Sequence, residues 1–76
     1  MIVINQDGQL VGKVDKIDVH IKRVYWKGIL IAFNVMHKEE LLGTYDSKKE
    51  ARREKRRLLK SSLQVFVMKR YDEFLI

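Results

Sequence analysis

Hydrophobic and polar positions alternate strictly over residues 17–22, where Ile17, Val19 and Ile21 share one parity and Asp18, His20 and Lys22 the other. A period of two predicts a strand with one buried and one wet face. Residues 29–36 are apolar on both parities, Ile29/Ile31/Phe33/Val35 and Leu30/Ala32/Asn34/Met36. Such a segment reads as a central strand whose second face is also covered, at least in part. A single helix covers only one face of a sheet, which leaves the C-terminal tail or a second copy of the chain to cover the other. A homodimer through the sheet face is therefore one expectation.

Around these two segments lie shorter signals. Ile2-Val3-Ile4 is a β-branched run followed by an Asp-Gly turn signal in Gln6-Asp7-Gly8-Gln9. Leu10 and Val11 start a second extended piece, with a bulge or twist expected at Gly12. Tyr25-Trp26-Lys27-Gly28 and His37-Lys38-Glu39-Glu40 read as turns, residues 41–45 as a strand, and residues 63–68 as a last strand through Val65 and Val67.

The period changes over residues 47–62, SKKEARREKRRLLKSS. Ser47 and Glu50 have the spacing of a capping box, in which each side chain satisfies a backbone donor at the other's end. On a helical wheel Ala51, Leu58 and Ser62 cluster, flanked by Lys55 and Leu59, a narrow docking stripe. Opposite lie Lys49, Arg53, Arg56 and Lys60, with Arg52 and Arg57 at the flanks. The expected architecture is α+β, an antiparallel β-sheet of four to five strands with one helix packed on one face, in a single domain over residues 1–76.

Composition narrows this picture. A 76-residue chain forms one modest core and hides only roughly 60% of its unfolded surface. With no cysteine, neither disulfides nor thiolate–zinc sites supplement that core. The longest uncharged apolar stretch, residues 28–36, is far below the ~20 residues that span a bilayer, and no signal-peptide pattern opens the chain. The expectation is a cytoplasmic protein with no membrane partner.

Charge changes the picture most. Residues 47–62 carry eight basic side chains against two acidic ones, a surplus equal to the +6 formal charge of the whole chain. Basic pairs at i,i+4 (Lys48/Arg52, Lys49/Arg53, Arg52/Arg56, Arg53/Arg57, Arg56/Lys60) and the acidic pair Glu50/Glu54 each cost roughly 0.2–0.5 kcal/mol on an isolated helix. Lys48 and Lys49 also sit at the positive end of the helix dipole. Alternating signs would give solubility at lower cost. Such segregation points to a polyanion, with Lys49, Arg52, Arg53, Arg56, Arg57 and Lys60 as the nucleic-acid-binding set. An acidic protein partner is the alternative, and a merely solvated face the plain one. No helix-turn-helix pair, zinc finger or basic-zipper heptad is present to read a DNA sequence, so binding is expected to be non-specific.

Other candidates are weaker. Tyr25 and Trp26 beside Arg23 and Lys27 form a basic–aromatic cluster able to stack an exposed base; the competing and favoured expectation is that Trp26 closes one end of the core. His37 and Glu39 offer two metal ligands without an identifiable third. No nucleophile–base set or Gly-rich phosphate loop occurs, so no catalytic residue, metal or cofactor is expected. Phe74-Leu75-Ile76 is read as a packed terminus, with an apolar hook for a partner as the other reading.

Asn5-Gln6-Asp7, Leu42-Gly43-Thr44-Tyr45, Ala51 and Val65-Phe66-Val67-Met68 together carry a resemblance. The layout resembles a group of short Firmicutes and phage proteins that begin with a strand and NQD and reach a helix through LGxY. They close on an aromatic-rich strand near a methionine. The resemblance spans most of the chain and implies an antiparallel sheet with one packed helix, with no established activity. An accessory assembly role of phage origin is the function it suggests. The chain departs from the pattern in its strongly basic helix and in Lys69, where such proteins more usually have proline.

Overall fold

The computed structural model describes residues 1–70. Phe74-Leu75-Ile76 and its expected roles lie outside them. The chain is α+β, and among the described residues one α-helix, α1 (Lys48–Lys60), packs on a sheet. Among the described residues, the strands divide into two three-stranded sheets, where the pattern suggested one sheet of four to five strands. The first sheet has the order β2 (Leu10–Val11), β1 (Ile2–Ile4), β6 (Val65–Val67). The second is the meander β3 (Val19–Trp26), β4 (Ile29–His37), β5 (Glu40–Tyr45). All neighbours are antiparallel except β1 and β6, which run parallel with Val3 opposite Phe66.

The alternation over residues 17–22 is interrupted locally. Asp15 accepts a hydrogen bond from the Ile17 N–H at 3.2 Å and folds Lys16–Asp18 into a 3-10 turn. Ile17 is left 85% exposed, and β3 begins two residues later than the pattern suggests. At its other end β3 continues through Tyr25 and Trp26, so the turn shrinks to Lys27 and Gly28. Both have positive φ, 49° and 77°, the geometry of a tight two-residue hairpin. The register slips between Val24 and Tyr25, which sets Tyr25 opposite Leu30 and Trp26 opposite Ile29.

The core is shared by all three layers: Val3, Val11 and Phe66 from the first sheet, Val19, Phe33, Val35, Leu42 and Tyr45 from the second, and Ala51 and Leu58 from α1. The resembling motifs have structural work in it. Asn5 Oδ1 accepts from the Asp7 and Gln9 N–H groups at 3.0 and 2.9 Å, closing the turn after β1. Gln6 then joins the two sheets: its Oε1 accepts from the Thr44 N–H at 2.6 Å, and its Nε2 donates to the Thr44 carbonyl at 3.0 Å. Gly43 makes that junction possible, because a Cβ there would fall 2.9 Å from Tyr45 Oη and 3.1 Å from Gln6 Cδ.

Candidate nucleic-acid interface

Ser47 caps α1 by accepting from the Glu50 N–H at 3.1 Å. The return half of the expected capping box is not made, and Glu50 Oε2 is buried without a partner. The docking stripe also differs from the expected one. It consists of Ala51, Glu54 and Leu58, while Leu59 and Ser62 are exposed. A glutamate occupies the centre of the stripe because the chain brings it donors. Glu54 is fully buried and accepts from Arg57 Nε at 2.5 Å, Arg57 Nη2 at 3.1 Å, Tyr45 Oη at 3.4 Å and the Lys69 N–H.

Arg57 is thereby withdrawn from the binding set to which its sequence position assigned it. Its guanidinium also donates to the Val67 carbonyl at 2.6 Å and lies 4.2 Å from the Phe66 ring centroid. The physical reason is the carboxylate beneath it: a buried charge needs a counter-charge and hydrogen bonds, and Arg supplies both. Arg57 belongs to the fold.

The other five members of the set, Lys49, Arg52, Arg53, Arg56 and Lys60, are exposed, and Lys48 joins them. Lys48, Lys49, Arg52, Arg53 and Arg56 line a cleft of about 360 Å³ on the outer surface of α1. A second groove, of about 680 Å³, runs between α1 and β3 and is lined in part by Lys22, Arg23, Lys48, Arg52 and Lys55, with His20 at its edge. Lys48 and Arg52 are common to both, so the two form one surface. No carboxylate is among the described residues lining either.

Sequence reasoning left Lys22, Lys48 and Lys55 out of the binding set and placed Arg23 in the separate basic–aromatic cluster, not beside the helix. Lys22 had a signal, its place on the polar parity of a strand. Nothing in the sequence says that this edge of β3 lies beside the helix.

The remaining candidates separate cleanly. Trp26 is 64% exposed and closes no core. His37 is a buried residue at the end of β4, and its Nε2 accepts from the Asp15 N–H at 3.1 Å. Its Nδ1 is buried without a partner, and no group of three metal-ligating side chains occurs among the described residues. No helix among them is long and apolar enough to cross a membrane. Searches of protein-family models, curated proteins and solved structures give no match.

Proposed function

We propose that this chain is a small, non-enzymatic module that binds nucleic acid without sequence preference through the joined surface of α1 and β3. The observation that carries the reading is the pair of contiguous clefts lined by cations and, among the described residues, by no carboxylate. Lys48 and Arg52, shared by both, join the two clefts. Six exposed cations on thirteen helical residues exceed what solubility requires, and Arg matches phosphate with two parallel hydrogen bonds. The absence of a groove-reading motif makes the contact one of charge and shape.

Fluorescence anisotropy with labelled DNA and RNA tests this. With about four phosphates neutralised, affinity falls about 100-fold between ~50 and ~200 mM salt. The variant R52E/R56E, which reverses two exposed charges, loses binding at low salt while keeping the wild-type circular dichroism spectrum. No binding at low salt, or binding indifferent to R52E/R56E, overturns the proposal. Capture of an acidic protein on nuclease-treated material, with no affinity for nucleic acid, transfers the surface to a protein partner.

A further inference from the structure

The β3–β4 hairpin runs past the core it helps to build. Phe33 and Val35 are buried near its base, whereas Tyr25, Trp26, Ile29, Leu30 and Ile31 at its tip are all exposed. Trp26 and Tyr25 are 64% and 56% accessible. The fold gains nothing from two aromatic rings in water, and aromatic side chains are strongly drawn into cores and interfaces. Two cations also lie close to the tip in the chain. Lys27 Nζ stands 5.8 Å from the Trp26 ring centroid, and Arg23, two residues before Tyr25, lines the groove against α1. One strand therefore carries the cationic surface directly into an aromatic end.

We infer that the nucleic acid held by this protein is single-stranded, with its bases stacked on Trp26 and Tyr25 and its phosphates in the groove between β3 and α1. The inference rests on the proposed nucleic-acid reading and extends it. A cationic track joined to aromatic platforms is how proteins hold single strands, because every base has a π-face and only an unpaired strand can present it. A duplex keeps those faces stacked inside. A second copy of the chain fits the tip less well, since pairing two tips brings Lys27 and Arg23 of both copies together in a chain of charge +6. The five side chains are also few against the roughly 20–30 residues a side of a stable interface.

Trp26 is the only tryptophan in the chain, so its fluorescence reports on the tip alone. The experiment titrates the protein at fixed low salt with oligo(dT), an abasic strand of equal length, and a duplex of equal length. Oligo(dT) is expected to quench Trp26 and to bind at least tenfold tighter than the duplex, while the abasic strand binds without quenching. W26A and Y25A, measured by anisotropy, each weaken oligo(dT) binding about tenfold and leave duplex binding unchanged. W26Y, which keeps a stacking ring, retains most of the affinity.

Equal affinities for single strand and duplex, without quenching and without an effect of W26A, overturn this inference. If R52E/R56E still abolishes binding in that case, the nucleic-acid reading survives. Absence of binding to all three ligands removes both. A concentration-dependent dimer that W26A dissolves, with oligo(dT) affinity unchanged, assigns the tip to a second copy and overturns the inference.

Discussion

The carboxylate of Glu54 ties three separate parts of the chain to one buried point: Arg57 on its own helix, Tyr45 at the end of β5, and the Lys69 backbone after β6. Removing it takes the carboxylate away from the Lys69 N–H and the Arg57 guanidinium, while the Tyr45 phenol keeps the Lys69 carbonyl at 2.7 Å and Arg57 keeps the Val67 carbonyl. Breaking one side of a buried, hydrogen-bonded pair costs about 3–5 kcal/mol, a large share of what a domain this size has to spare. E54A is accordingly expected to unfold at much lower urea than wild type, whereas K55A, one residue away and half-buried, changes the midpoint little. Equal midpoints for E54A and wild type would refute the role given to Glu54. This residue was not legible in the sequence. Buried glutamates are rare, and in a run of lysines and arginines the natural reading of an acid is a surface counter-charge. Its spacing between Ala51 and Leu58 was the one available sign, and hydrophobicity patterns do not count a charge as core.

At the scale of the element, α1 was the most readable part of the chain. The cap residue Ser47 and the change of period located it to within two residues at its end, because both signals are local. The capping box was read too fully. Only the Ser47 half forms, and the helix should respond unequally to losing the two members. S47A is expected to cost about 1 kcal/mol. E50A is expected to cost less than half of that, since deleting a buried oxygen without a donor offsets the lost attraction to the helix dipole. Comparable losses from both variants in denaturant titrations would show that the reciprocal bond forms in solution. The hairpin was harder to read. Tyr25 and Trp26 precede a Lys-Gly turn and were counted into it, although aromatic residues are good strand formers. A turn next to a core favours a tryptophan that closes it, whereas a strand that runs on past the core leaves the same residue at an exposed tip.

For the whole molecule, the class was legible and the sheet arrangement was not. Strand β6 joins β1 in parallel across almost the full length of the chain, and no local signal distinguishes that pairing from an antiparallel return. Non-local packing also brings β3 beside α1, which is why the β3 share of the cationic surface, Lys22 and Arg23, was not legible as part of it. The combined surface makes a prediction that a merely solvated helix does not. Four like-charged i,i+4 pairs remain on the outer face, Lys48/Arg52, Lys49/Arg53, Arg52/Arg56 and Arg56/Lys60, all exposed. At ~0.2–0.5 kcal/mol each they oppose folding by about 1–2 kcal/mol at low salt. The Debye length shrinks to ~10 Å at 0.1 M, so sodium chloride should recover about 1 kcal/mol, a rise of roughly 4–8 °C in Tm for a domain of this size. R52E/R56E should start from the higher Tm and respond less to salt. Nucleic acid at low salt should raise the wild-type Tm by mass action, and that gain should disappear as salt is added. Salt thus acts with opposite signs on the two quantities, strengthening the free fold and weakening the complex. A Tm that rises with salt but ignores every polyanion would leave the repulsion real and the proposed binding wrong.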